Sequence, residues 1–124
     1  MKIGIGKNYN MKIKLKKTPR KFKVGLDGKT IIKDFGKIKA SKNEMLSFVN
    51  SEGKEYDIVA KEWGFYATPS INGRLINQGY KTALVKNSFG KYYIMIVDID
   101  KLQIFKNYLT KDNQKLIEWL DEKY

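Results

Sequence analysis

The sequence has 124 residues, of which 42% are hydrophobic and 13% aromatic, and this is the size and composition of one folded domain. It contains no His and no Cys, which excludes a Ser–His–Asp triad, a thiol nucleophile, a disulfide framework and the common zinc and iron sites. We therefore expect no transition metal, and only carboxylate, Lys or Tyr chemistry remains open to an enzyme.

The net charge of +12 lies entirely in the first third of the sequence. Residues 1–42 hold 13 Lys and Arg20 against only Asp27 and Asp34, which accounts for the whole excess. Residues 43–124 hold 11 basic and 11 acidic side chains, which cancel. This asymmetry favours a polyanionic partner for the N-terminal third. The alternative is codon bias. The chain is also rich in Ile, Asn and Tyr, which an AT-rich genome overproduces together with Lys, so Lys would fill solvent positions without a function.

Residues 1–10 show no sustained hydrophobic period, and we interpret them as a loose extension of a single domain at 11–124. The start of the sequence lacks an apolar segment long enough for a signal peptide, and no run of 18 apolar residues occurs. Together with the lack of Cys, these features predict a cytoplasmic protein that is not embedded in a membrane.

Alternation of apolar and basic side chains predicts strands at 11–16 and 21–26, separated by a break at 17–20. Asp27-Gly28 is a hairpin turn signal, after which two more short strands extend to residue 40. The apolar members of the first two strands are expected to point inward: Met11, Ile13, Leu15, Phe22, Val24 and Leu26.

The basic residues of these strands are expected to form a solvent-facing surface that binds a polyanion: Lys12, Lys14, Lys16, Arg20, Lys21, Lys23, Lys37 and Lys39. Like charges directly opposite one another destabilise a sheet slightly, and an anionic ligand would relieve that repulsion. Lys is a point charge without the planar fork of Arg, so the surface suits phosphate contacts better than base-specific recognition.

A second hairpin is predicted where residues 45–50 and 55–60 alternate around a turn, and the extended chain then continues through Trp63 to Tyr66. Thr68 and Pro69 are typical of a helix N-cap and of the first helical position, and Gly79 is typical of a C-terminal cap. We therefore predict a helix at 69–78. A hairpin turned by Asn72-Gly73 is the alternative.

The segment 61–81 contains the second group of candidate site residues. An aromatic cluster before a helix N-terminus is suited to bind an anion and to stack on a base or a sugar ring. The candidates for contact with a ligand or partner are Trp63, Tyr66, Ser70, Asn72, Arg74 and Lys81. The alternative, which we favour for Trp63 and Phe65, is that these aromatic rings fill the core where a strand meets the helix.

The last third of the sequence predicts strands at 80–86 and 91–98, followed by two helices. The first helix begins at Asp98 or Asp100 and extends to Leu109. The second covers 113–124, where apolar residues recur at helical spacing. Trp119 lies off that stripe, either at the edge of the core or as an exposed anchor for a partner, and the edge of the core is the preferred interpretation.

These elements predict one α+β domain with a mainly antiparallel sheet, one short helix near 69–78 and two C-terminal helices, and a small curled barrel is one arrangement of its N-terminal half. No phosphate-binding or dinucleotide-binding glycine motif occurs, so no cofactor is expected.

The function expected is a small non-catalytic module that contacts nucleic acid or another polyanion without strong sequence specificity. One alternative is a protein-interaction or accessory module whose site is the 61–81 region. A third hypothesis is an enzyme on a phosphorylated or sugar substrate, with Asp57 or Glu62 as acid or base and Arg74 or Lys81 as anion clamps.

Overall fold

The computed structural model of the protein describes residues 11–123, so the predicted loose extension at 1–10 lies outside the described residues. Every strand pair in the described range is antiparallel, and two short α-helices accompany the sheets, which agrees with the predicted α+β class. The strands form a two-stranded hairpin and two three-stranded sheets. No closed barrel forms within residues 11–123, so the curled barrel considered for the N-terminal half is not adopted.

The N-terminal hairpin pairs β1 (Lys12–Val24) with β2 (Thr30–Lys39). The turn predicted at Asp27-Gly28 is confirmed, and the backbone N–H of Lys29 donates to Asp27 Oδ1 at 2.9 Å. The predicted break at 17–20 does not end a strand. The chain there forms a bulge between Leu15 and Arg20 and then resumes pairing with β2. Pro19 has no N–H to give to the ladder, and a bulge is one of the few strand positions that tolerate it.

The second sheet is a meander of β3 (Met45–Val49), β4 (Glu55–Lys61) and β5 (Gly64–Ala67). The hairpin predicted in this region is confirmed by the pairing of β3 with β4. The chain does not, however, stay extended through Trp63, because Glu62 and Trp63 form a tight turn that brings β5 back along β4.

The predicted helix at 69–78 is reduced to α1 (Arg74–Asn77). Thr68 and Pro69 precede it by more than one turn, so Thr68 is not its N-cap. That position is Gly73, which has no side chain to cap the helix, and Ser70 contacts the first helical residues instead. The backbone N–H of Arg74 donates to Ser70 Oγ at 3.1 Å, and the N–H of Leu75 donates to the Ser70 carbonyl at 3.0 Å. The C-terminal cap at Gly79 is confirmed by a φ of +89° and a bond from its N–H to the Ile76 carbonyl at 2.9 Å.

The alternative hairpin at Asn72-Gly73 is also not formed, since both residues belong to the turn that leads into α1. A side chain at Gly73 would collide with the Ser70 hydroxyl, so glycine permits the close approach of Ser70 to the start of α1.

The third sheet has the order β7 (Tyr92–Asp98), β6 (Tyr80–Lys86), β8 (Lys115–Trp119), and α2 (Leu102–Lys111) packs against it. The two strands and the first C-terminal helix agree with the prediction. The prediction of a second C-terminal helix at 113–124 is wrong. Residues 115–119 pair with β6 as a strand, and Leu120–Glu122 form a single 3₁₀ turn.

The core between α2 and the third sheet is small. Its buried members are Ala83, Val85, Val97 and Leu109, and the partly buried Met95, Leu102, Phe105 and Trp119 surround them. Phe105 and Trp119 contact one another with their ring centroids 5.8 Å apart, which places Trp119 at the edge of this core. No helix within residues 11–123 is both long enough and apolar enough to cross a membrane.

Candidate nucleic-acid interface

The register of the N-terminal hairpin determines which of its side chains share a face. Residues directly opposite one another in an antiparallel pair project to the same side. Lys12 lies opposite Lys39, and Lys14 lies opposite Lys37. On the other side of the bulge, Lys21 lies opposite Lys33. Because β2 is continuous between Lys33 and Lys39, its alternation places all these lysines on one side of the hairpin.

We call this side the lysine face, and its basic members are Lys12, Lys14, Lys21, Lys23, Lys33, Lys37 and Lys39. All seven side chains are exposed. Within residues 11–123, none of them lies within ion-pair distance of a carboxylate. Ile31 and Phe35 lie between them and are each 53% exposed. The lysine face is therefore an uncompensated band of positive charge with apolar side chains in it.

Two residues predicted for this surface leave it because of the bulge. Lys16 Nζ lies 3.6 Å from Asp34 Oδ2, and Arg20 Nε lies 3.2 Å from the same oxygen. Arg20 and Asp34 are opposite one another on the side away from the lysines. The backbone N–H of Gly36 and the Arg20 guanidinium lower the pKa of Asp34, so the carboxyl is held in its charged form. Lys16 and Arg20 thus neutralise Asp34 and do not add to the lysine face.

Lys33 is a member that the sequence prediction missed. It follows two isoleucines, so the stretch Ile31-Ile32-Lys33 breaks the simple alternation of apolar and basic residues. Its spacing from Lys37 and Lys39 is the feature of the sequence that could have identified Lys33, since positions an even number of residues apart share one face of a strand.

The opposite side of the hairpin is apolar but is only partly covered. Ile13, Phe22 and Val24 are half-buried, as the prediction of an inward side requires. Leu15 and Leu26 are instead 61% and 53% exposed, so their predicted burial is wrong. Leu15 stands beside the bulge, and Leu26 belongs to the turn, where the chain departs from regular strand alternation.

The turn of the hairpin is attached to the end of α2. Asp27 Oδ2 lies 3.5 Å from Lys111 Nζ, and the backbone N–H of Lys29 and then this lysine lower the pKa of Asp27. Behind the turn, Val24, Leu26 and Ile32 face Tyr93, Met95 and Tyr108 across an open cavity of about 420 Å³. The turn of the hairpin that carries the lysine face therefore lies near the end of α2, with the cavity between the hairpin and the third sheet.

The aromatic residues of the 61–81 region are exposed. Trp63 and Phe65 are each 71% exposed, so the interpretation that they fill the core is wrong. Tyr66 is 44% exposed, and its ring stacks on that of Trp63 with the centroids 5.9 Å apart and the planes at 15°. Tyr66 lies opposite Val59 and Phe65 lies opposite Ala60, so Tyr66 and Phe65 project from opposite faces of β5.

The side chain of Arg74 is hydrogen-bonded to other residues of the protein and does not point into an open ligand site. Its Nη2 donates to Asp57 Oδ2 at 2.9 Å and to Thr68 Oγ1 at 3.1 Å. Asp57, which is 4% exposed, also accepts a short hydrogen bond from the Ser47 hydroxyl. The Ser47 hydroxyl and the Arg74 guanidinium hold the pKa of Asp57 below its ordinary value. This cluster ties β3 and β4 to the start of α1.

The remaining candidates of this region do not converge on one point. The Ser70 hydroxyl accepts the N–H of Arg74 at the start of α1, and Asn72 is exposed in the preceding turn. Lys81 is bound within the third sheet, where its Nζ lies 2.8 Å from the Oδ2 of the buried Asp121. Burial by itself raises the pKa of Asp121, but hydrogen bonds from Lys81 and the N–H of Thr82 bring it below the ordinary value on balance.

The acid and base of the enzyme hypothesis are likewise engaged elsewhere. Glu62 is paired with Lys42 at 3.1 Å, whereas Asp57 lies in the buried cluster with Arg74. Within residues 11–123, no three carboxylates come together in a way that would hold a metal ion. Comparison with protein-family models, with curated proteins and with solved structures found no match to the chain.

Proposed function

We propose that the protein is a non-catalytic binding module that contacts nucleic acid, or another polyanion of similar charge density, through the lysine face and without strong sequence preference. The observation that carries the proposal is the alignment of seven exposed lysines on one side of a single hairpin, with no carboxylate within ion-pair distance among residues 11–123.

The spacing of these lysines fits a phosphate backbone. Alternate residues of a strand, such as Lys12 and Lys14 or Lys37 and Lys39, are about 6.6 to 6.8 Å apart. Each strand of a duplex carries one phosphate per about 3.4 Å of helix axis, so a row of lysines supplies about one positive charge for every two phosphates of a strand that runs beside it.

Repulsion between lysines within the lysine face is expected to favour the binding of an anion. Lys12 and Lys39, Lys14 and Lys37, and Lys21 and Lys33 face one another directly across the ladder, where like charges repel. Phosphate groups placed over these pairs remove the repulsion and release their own condensed counterions. The face holds Lys and no Arg, so it lacks the bidentate fork that reads base edges, and binding is expected to depend on charge density more than on sequence.

The test is the salt dependence of binding to a labelled oligonucleotide. Counterion release predicts that log K falls with log salt at a slope of about −5 for a single strand, or about −6 for a duplex, if all seven lysines engage phosphates. The variant K14Q/K21Q/K37Q should flatten the slope by about 2 to 3. All three side chains are exposed, so folding should be unaffected.

A matched control removes the same charge from another part of the surface. Lys91, Lys106 and Lys115 are exposed, and the described residues show no ion pair for them. The variant K91Q/K106Q/K115Q should therefore keep the slope of the unmodified protein. If the two triple variants flatten the slope equally, binding depends on the net charge of the protein and not on the lysine face. An absence of binding at about 50 mM salt would rule out the proposed function.

A further inference from the structure

Trp63 and Tyr66 form an exposed aromatic stack at the turn between β4 and β5. Their rings are nearly parallel, and Trp63 keeps 71% of its surface open to solvent. A flat apolar face of this size is costly to leave in water, and it is the kind of surface on which a nucleobase stacks. The centroid separation of 5.9 Å is too small to admit a base between the rings, since two stacking distances of about 3.4 Å are required. Only the outer faces of the stack are available.

A short segment connects the end of the lysine face to the end of β4, just before the turn that carries Trp63. Three residues after Lys39 the chain reaches Lys42, whose Nζ lies 3.1 Å from the carboxylate of Glu62, the neighbour of Trp63. The backbone N–H of Asn43 donates to the Ala60 carbonyl at 2.8 Å, and Lys61 Nζ donates to Asn43 Oδ1 at 2.6 Å.

The segment that leaves β2 is therefore fastened to the turn that carries Trp63. Glu62 is the only carboxylate in that turn, and Lys42 neutralises it. A strand held along the lysine face that continued to the aromatic stack would pass Glu62, which is paired with Lys42, and Glu44, whose carboxylate accepts a hydrogen bond from the N–H of Ser41.

We propose that the nucleic acid bound by the lysine face has unpaired bases, and that one of them stacks on Trp63. The proposal rests on the proposed function, because the lysines must hold the backbone for the base to reach the ring. Bases in a duplex are already stacked on their neighbours, so a regular duplex cannot use this surface. A single strand gains the phosphate contacts and also a base–aromatic contact, which is the combination typical of single-strand binding.

The experiment compares three probes of equal length, about 12 nucleotides: a single strand, the same strand with abasic sugars, and the duplex. The abasic strand keeps the phosphates and removes the bases. Trp63→Ala should weaken binding of the single strand roughly 5- to 150-fold and leave the abasic strand and the duplex within about twofold.

Phe65→Ala is the matched control, because Phe65 is equally exposed, lies on the same hairpin and projects from the face opposite to Tyr66. It should change no affinity by more than about twofold, and thermal melting of both variants verifies that they fold.

The outcomes separate the two proposals. If the single strand binds but Trp63→Ala weakens it less than about twofold, or weakens the abasic strand equally, base stacking is refuted and the lysine-face proposal stands. A second result would also refute base stacking. If the unmodified protein retains another protein from extract, and Trp63→Ala loses that protein but still binds the oligonucleotide, the stack is assigned to a protein partner. If none of the three probes binds at low salt, the proposed function itself fails.

Discussion

Replacing Asp57 by Asn tests whether the cluster around Arg74 holds the second sheet to α1. The carboxylate accepts hydrogen bonds from the Ser47 hydroxyl and from Arg74 Nη2, and it is almost completely buried. Asn has nearly the same shape but no charge, and it offers one acceptor oxygen where the carboxylate offers two. The substitution therefore removes the charge-assisted bond to Arg74 without opening a cavity.

The expected loss of stability is about 2 kcal/mol. A hydrogen bond to a charged group contributes roughly 1.5 to 3 kcal/mol. The side chain of Arg74 is 48% exposed, so its guanidinium can recover part of its hydration, which places the loss near the lower end of that range. An unfolding entropy of about 2.1 cal/mol/K per residue gives about 0.26 kcal/mol/K for the chain, so Tm should fall by about 8 °C.

The pH dependence gives a second check on the same variant. The pKa of Asp57 is below its ordinary value of 3.8 in the folded protein, first because of the Ser47 hydroxyl and then because of Arg74. A lowered folded pKa means that the carboxylate stabilises the protein above the unfolded pKa, and that this contribution is lost as pH falls through the folded pKa. The difference in Tm between Asp57→Asn and the unmodified protein should thus be constant near pH 7 and shrink below about pH 4.

The assay is thermal unfolding followed by circular dichroism from pH 7 down to about pH 3. Glu55→Gln is the control, because Glu55 is an exposed carboxylate two residues earlier in β4, and it should leave Tm within about 2 °C. A fall in Tm of less than about 2 °C for Asp57→Asn at pH 7, or a difference that does not shrink in acid, would refute the role assigned to this carboxylate.

Two further substitutions test the hairpin and the third sheet. A Cβ at Gly36 would overlap the carbonyl oxygen of Lys14, so Gly36→Ala should open the centre of the hairpin. Hydrogen exchange should then show lost protection of the amides in β1 and β2 and unchanged protection in β6, whereas unchanged protection in β1 and β2 would contradict the register. Lys81→Met leaves the buried Asp121 without its cation and should cost about 3 to 5 kcal/mol in urea unfolding at neutral pH, whereas a cost below about 1 kcal/mol would show that the pair contributes little.

The elements predicted correctly from the sequence are those in which local pattern and long-range pairing agree. The strands predicted at 45–50, 55–60 and 80–86 form and pair with hairpin neighbours close along the chain. The apolar residues of 113–124 also have helical spacing, and their sequence does not reveal that the free edge of β6 is available for pairing. Pairing with that edge overrides the local preference and converts residues 115–119 into β8.

The burial of individual side chains in the candidate site was less predictable than the elements that carry them. An aromatic residue near a predicted strand end fits a core position and an exposed position equally well from the sequence. Trp63 is exposed because Glu62 and Trp63 form the turn, and this depends on where β4 stops pairing. Arg74 is likewise committed to Asp57, a partner 17 residues earlier that no local pattern identifies.

The bulge in β1 bears on whether the lysines reflect composition or selection. Leu15 and Arg20 are an odd number of residues apart, so a regular strand would place them on opposite sides and divide the lysines between two faces. Leu15 lies opposite Gly36 and Arg20 lies opposite Asp34, and these partners share a side of β2.

The three extra residues of β1 in the bulge therefore return the strand to the same orientation, and Lys12 and Lys14 end on the same face as Lys21 and Lys23. Codon bias acts on composition and has no means of following such a change of register. The cations displaced by the bulge, Lys16 and Arg20, also lie against Asp34, the one carboxylate in the two strands. Positive charge is thus concentrated on one face and partly neutralised on the other, an arrangement that favours selection for an anionic partner over a bias in codon usage.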